Sequence, residues 1–144
     1  MLLFALNVPE PSYKLGEEMQ ARTAIRHFLD DDRRITDRWR EIVNSSRGNG
    51  ASFEELAGHI DADVSREYQD SFEQLSSIAL SPAAPSAADL EFLRKYALLR
   101  GDAAHALAEA LRANDPEAIR RALDTMRRAP ALAKAASTAS APAR

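Results

Sequence analysis

Three charged residues occupy positions that the surrounding apolar pattern assigns to helix interiors. Asp32 interrupts an apolar stripe with steps of three and four residues, which is typical of an amphipathic helix; the stripe comprises Ile25, Phe28, Ile35, Trp39 and Ile42. Glu67 falls within a second apolar face, and Arg100 lies near the middle of a third. Inward carboxylates and a guanidinium could pair with one another, bind a charged ligand or take part in proton exchange.

These three residues fall at one depth when the predicted helices are placed antiparallel. Asp32 lies 18 residues before Gly50, the centre of the first turn, and Glu67 lies 17 after it. Glu67 and Arg100 are about equally far from the second turn. We expect a polar layer of Asp32, Glu67 and Arg100, because an unpartnered buried charge costs several kcal/mol. Its main interpretation is fixed helix register; the alternatives are a ligand or proton-linked site, or an Arg100 that extends to solvent.

No catalytic, metal or cofactor site is predicted. The chain has no cysteine, which excludes disulfides and thiolate chemistry. Each histidine has an acidic residue four positions later, and we interpret these as surface ion pairs on helices rather than metal ligands; the pairs are His27 and Asp31, His59 and Asp63, His105 and Glu109. No base, nucleophile or metal set converges, so a non-enzymatic protein is expected.

The elements that must position these residues are all helices. The first is predicted from Ser12 to about Arg47, continuous across the three aspartates, and ends at a glycine turn. The second starts at the Ser52 and Glu55 capping box, and the third starts at Ser86. A short fourth helix is predicted over 116–128, after Asp115 and Pro116. The fold class is therefore an all-α, up-down bundle of three long helices plus one short C-terminal helix.

Three segments make up the predicted domain organisation: an apolar arm over 1–11, the helical bundle over 12–129, and a flexible tail rich in Ala, Pro and Ser over 130–144. The arm lacks the basic region of a signal peptide and is too short for a membrane span. It is expected to pack on the domain; the alternatives are the end of a transmembrane helix from a longer protein, or a partner-binding segment.

Charge is distributed unevenly around a net value of −3. Residues 51–85 carry seven acidic side chains and one basic one, and the segments on either side are not acidic in balance. This asymmetry favours pairing within the protein over binding to nucleic acid, because no basic face with interleaved aromatics is present. A cytoplasmic location is favoured, with an exported or membrane-tethered domain as the alternative.

The short fourth helix leaves part of the bundle uncovered. The predicted result is an apolar groove between the first and third helices that could bind a protein partner; its lining is Leu15, Met19, Leu90, Phe92 and Leu93. The arm could fill this groove in its own chain or in a second copy, giving a homodimer. The expected function is a non-catalytic interaction or adaptor domain, with no direct membrane insertion. The alternative is a ligand-binding or sensor bundle that uses the polar layer.

Overall fold

Residues 12–139 are described by the computed structural model, except for the side chains of residues 49, 138 and 139. This part of the chain is helical and contains no strand, which confirms the all-α prediction. The elements are α1 (Leu15–Asn49), α2 (Phe53–Ile60), a π-helical turn (Asp61–Ser65), α3 (Arg66–Ser76), α4 (Ala87–Arg112) and α5 (Pro116–Ala139). The predicted arm and residues 140–144 lie outside the described residues.

The first helix is continuous, as predicted. It passes through the three aspartates without interruption and ends at Gly50, whose φ of 61° is the left-handed conformation that glycine adopts readily. It begins at Leu15 rather than at Ser12. The Ser12 carbonyl instead accepts a hydrogen bond of 2.8 Å from the Ser81 hydroxyl, which ties the start of the first helix to the loop before α4.

A π-helical turn, which the sequence pattern did not predict, separates α2 from α3. Its last residue, Ser65, is buried and donates a hydrogen bond of 3.2 Å to the carbonyl of Gly101 on α4. A Cβ atom at Gly101 would lie 3.3 Å from Tyr68 Cβ, so glycine permits this close approach of the two helices.

The helix α4, which corresponds to the predicted third helix, is the centre of the fold. It contacts α1, α2, the π-helical turn, α3 and α5. It therefore buries residues over a wide arc; those with the least exposure include Leu90, Ala97, Ala104, Leu107 and Ala108. The wide spread of buried residues around α4 is thus explained by its having neighbours on several sides.

The prediction of a short final helix is wrong. α5 continues to Ala139 and has Pro130 in its interior. The proline removes one backbone donor, but Ala129 and Ala133 are fully buried on either side of it. Alanine also has the highest helix propensity. Packing and propensity together keep residues 130–139 helical, where a flexible tail was expected.

The premise of the predicted groove, a short final helix, is wrong, because α5 is nearly as long as α4 and packs along it. The residues predicted to line the groove differ in exposure. Leu90 and Leu93 are 1% and 7% exposed. Phe92 is half-buried and stacks on Tyr96 with ring centroids 6.1 Å apart. Leu15 and Met19, by contrast, are exposed on α1.

Candidate functional site

Asp32 is the centre of a polar network made with two tyrosines. The Tyr68 hydroxyl donates a hydrogen bond of 2.6 Å to Asp32 Oδ1. The Tyr96 hydroxyl lies 3.1 Å from Oδ1 and 3.4 Å from Oδ2 of the same carboxylate. Because these residues lie on α1, α3 and α4, the network joins three helices at one level.

Arg100 belongs to the same network but reaches Asp32 through Tyr96. Its Nη1 atom donates a hydrogen bond of 3.2 Å to the Tyr96 hydroxyl. Its guanidinium lies over both tyrosine rings, 5.3 Å from the centroid of Tyr68 and 5.6 Å from that of Tyr96, distances at which cation–π attraction operates. Among the described residues, its buried Nε atom has no hydrogen-bond partner. Asp32 and Arg100 therefore do not pair directly, and the Tyr96 hydroxyl joins them.

Burial keeps both tyrosines of this network protonated. Loss of solvent raises the pKa of Tyr68 above its usual range; the charge of Arg100 opposes this rise, and the hydrogen bond to Asp32 adds to it. Burial likewise raises the pKa of Tyr96. The hydroxyls thus serve as permanent donors to Asp32, rather than as acids that exchange protons near neutral pH.

Glu67, the third residue of the predicted layer, does not join it. Its side chain is partly exposed and forms an ion pair of 3.3 Å with Arg34 at the surface between α1 and α3. Neighbouring residues of a helix point about 100° apart, and on α3 the side chain that faces the interior is that of Tyr68. The large aromatic side chain of Tyr68 is buried completely, and the carboxylate is left at the edge.

A second inward carboxylate, Glu18, was missed. Its side chain is fully buried and accepts hydrogen bonds from both the backbone N–H and the hydroxyl of Ser86, at 2.8 and 2.7 Å. Arg22 donates to it from the next turn of α1. Burial would by itself raise the pKa of Glu18, but the bonds from Ser86 and Arg22 outweigh that effect and lower it.

Glu18 and Arg94 form hydrogen bonds to the two ends of the proline-containing loop between α3 and α4. Ser86 is the residue immediately before α4, so Glu18 places a negative charge at the positive end of that helix. Arg94 donates hydrogen bonds of 3.0 and 2.6 Å to the carbonyls of Leu75 and Ile78, at the end of α3. Each charge meets the helix end of opposite polarity, which holds the loop in place.

The acidic segment is paired with cations inside the protein, as its charge pattern indicated. Asp63 accepts two hydrogen bonds from Arg38 of α1, at 2.9 and 2.7 Å. Asp61 accepts one of 2.7 Å from Arg112 of α4. An open cleft of about 600 Å³ lies between α1 and the segment formed by the π-helical turn and α3. It is lined by charged residues only; they are Asp30, Arg33, Arg34, Asp37, Arg38, Glu41, Asp63 and Glu67.

One cluster of the described residues has donor atoms suited to a metal ion. Single ligand atoms of Asp61, His105 and Glu109 lie within 4.8 Å of one another. Arg112, however, donates hydrogen bonds to both carboxylates, at 2.7 Å to Asp61 and 3.0 Å to Glu109. A guanidinium thus already supplies the positive charge, and the cluster is best described as an ion-pair network.

The first helix also presents apolar side chains to solvent. Leu15, Met19 and Leu29 are 68%, 54% and 48% exposed and lie on one side of α1. They span about 21 Å along the helix axis. Arg22 and Arg26 lie between them on the same side. We call these five residues the α1 face.

Comparisons of the chain with protein-family models, curated proteins and solved structures give no match, so function has to be argued from the residues themselves. Within residues 12–139, no helix combines the length and apolar character needed to cross a membrane. The polar network can fix helices, since its tyrosine hydroxyls bond Asp32 and Arg100 Nη1 bonds Tyr96; within the described part of the chain, Arg100 Nε is the atom of this network that has no partner. The α1 face differs from this network, because its three apolar side chains are exposed among residues 12–139.

Proposed function

We propose that the protein is a non-catalytic helical interaction domain that binds a protein partner through the α1 face. The observation that carries this proposal is the exposure of Leu15, Met19 and Leu29 along one side of a single helix. Isolated exposed apolar residues are ordinary on protein surfaces, but an aligned set points to a contact surface. Helix faces with anchors of this kind bind complementary helices or grooves.

The chemistry of the α1 face defines the kind of partner. Arg26 and Arg22, which bonds Glu18 through its Nε atom, are exposed between the apolar side chains, so the matching surface supplies apolar contacts together with carboxylates. Arginine side chains also add apolar contact area through their methylene groups. A partner segment with alternating acidic and apolar residues meets both requirements.

The arrangement of the remaining helices supports a scaffold role. Sequential helices pack on one another through short connections, which favours an up-down order in which α4 is the central support. Asp32, the tyrosines and Arg100 then act as an internal brace. A sensor function based on Asp32, Glu67 and Arg100 has less support, since Glu67 lies apart from the other two.

Substitution of the α1 face tests the proposal. The triple variant Leu15→Ser, Met19→Ser, Leu29→Ser is compared with a control triple variant at exposed apolar positions on other helices, Phe53→Ser, Leu98→Ser, Leu123→Ser. A tagged wild-type chain is expected to retain a defined partner from its own host, the control triple to retain it as well, and the α1 triple to lose it. Equal retention by both triples contradicts the proposal.

Light scattering identifies self-association as a separate result. If the wild-type chain is a dimer and the α1 triple is a monomer, the partner is a second copy of the chain. If deletion of residues 1–11 has the same effect as the α1 triple, the predicted arm forms part of that interface. A wild-type chain that stays monomeric and retains no partner contradicts the proposal.

A further inference from the structure

A small cavity between α1 and α3 is separate from both the polar network and the α1 face. Its volume is about 190 Å³. Apolar side chains form one part of its lining, where Phe28 and Leu75 are almost completely buried and Ala24 and Ile78 are partly buried. An apolar protein cavity of about 150 Å³ accommodates benzene, so a single ring or a branched chain fits this space.

Ser71 supplies an unusual polar group in this lining. The residue is 6% exposed, and its hydroxyl has no hydrogen-bond partner among residues 12–139, although it keeps some contact with solvent. A hydroxyl that borders a cavity in this way can accept a hydrogen bond from a guest molecule. A bound water or a ligand could fill that role.

Asp31 gives the cavity its charge preference. It lies in the lining with His27, whose Nδ1 atom is 3.7 Å from the Asp31 carboxylate. Arg34 approaches the same carboxylate at 3.5 Å. Both distances exceed the usual range of about 2.7–3.2 Å, so the carboxylate retains room for a closer cation. Of the three consecutive aspartates, only Asp31 lines the cavity; Asp30 lies near Arg33, and Asp32 bonds the two tyrosines.

We propose that this cavity binds a small amine with an aromatic or branched aliphatic body. The ammonium group pairs with Asp31, the hydroxyl of Ser71 accepts a hydrogen bond from it, and the apolar body lies against Phe28 and Leu75. This site is independent of the proposed interaction face, because it opens between α1 and α3 and shares no residue with Leu15, Met19 or Leu29.

Three probes with the same ring and different charges test the inference. Benzylamine, benzyl alcohol and benzoate are titrated into the full chain, and binding is followed by calorimetry and by amide chemical shifts. Saturable benzylamine binding is expected in the millimolar range or tighter, at least tenfold tighter than benzyl alcohol, with benzoate showing none. Shifts are expected to concentrate in residues 24–31 and 71–78. No saturable binding of benzylamine, or equal binding of benzoate, overturns the proposal.

Variants then locate the site. Asp31→Asn is expected to weaken benzylamine at least tenfold, and Ser71→Leu is expected to abolish binding by filling the cavity. Ala24→Leu fills the cavity from α1, and it replaces Ser71→Leu in the test if that variant does not fold. Thr125→Leu, in a different cleft between α4 and α5, is the control and is expected to bind normally. The proposal is overturned if folded Asp31→Asn and Ala24→Leu bind benzylamine as tightly as wild type does. It is also overturned if the Ser71 hydroxyl bonds only water and never the amine.

Discussion

The hydroxyl of Tyr68 donates a hydrogen bond of 2.6 Å to the carboxylate of Asp32, which joins α3 to the middle of α1. The same tyrosine ring lies below the guanidinium of Arg100, at 5.3 Å from its centroid. One buried aromatic side chain thus connects the two charged residues that interrupt the apolar faces of their helices.

Removal of this hydrogen bond is expected to destabilise the fold without changing its architecture. Tyr68→Phe deletes one donor to a buried carboxylate, and we expect a loss of about 1–3 kcal/mol in the free energy of unfolding. Chemical denaturation measures the effect, with Tyr13→Phe as a control outside the network. A double-mutant cycle with Asp32→Ala is expected to show coupling, since the two side chains are in contact. Additive losses contradict a direct interaction.

The glycine at position 101 is expected to be required for close helix packing. Gly101→Val places carbon atoms against Tyr68, where a single added Cβ already lies at 3.3 Å, and overpacking of this kind costs about 1–3 kcal/mol. Gly58 is the matched control, because a Cβ there meets nothing within 4 Å. We expect Gly58→Ala to stabilise the protein by about 0.5–1 kcal/mol. Thermal unfolding distinguishes these opposite effects, and a Gly101→Val variant as stable as wild type contradicts the packing argument.

Acid is expected to weaken the attachment of α1 to the start of α4. The pKa of Glu18 is lower in the folded protein than its ordinary value of 4.5, so the unfolded chain takes up a proton first as the pH falls. The stabilisation is present above that value and is lost as the pH falls through the folded pKa. Glu18→Gln lacks this contribution. Its midpoint temperature should therefore be lower than that of wild type at pH 7 and change less between pH 5 and pH 2.5.

Glu17→Gln is the control for this effect. It removes a neighbouring carboxylate of the same helix, while the bonds from Ser86 to Glu18 remain. Its pH dependence is expected to follow wild type. Parallel pH curves for wild type and Glu18→Gln would show that the buried carboxylate does not contribute to acid sensitivity.

The helical nature of the elements and the inward position of Asp32 could be predicted, because both depend on the spacing of nearby apolar residues. The same spacing contained a signal for Glu18, which precedes Asp32 by two intervals of seven residues and therefore occupies the same side of α1. The π-helical turn has no such signal. It depends on Ser65 bonding to a backbone carbonyl of α4, a contact between distant parts of the chain.

The length of α5 and the partner of Arg100 could not be predicted for different reasons. Pro130 is a strong local breaker, and the helix continues because Ala129 and Ala133 are buried against α4 and alanine favours the helix. Glu67 was predicted to partner Arg100, but the adjacent residue Tyr68 faces the interior instead. Tertiary packing favours the aromatic ring of Tyr68 over a carboxylate at that place, and periodicity alone does not distinguish the two adjacent positions.

Site-specific photo-cross-linking tests the central claim, that the α1 face is where a partner binds. A photoreactive phenylalanine analogue replaces Leu29 in one chain and Leu123 in another, two exposed leucines on different helices. Irradiation in the native host is expected to give one discrete adduct with a separate protein chain at position 29 and none at position 123. Adducts at both positions, at neither, or only within the same chain would contradict the proposed function.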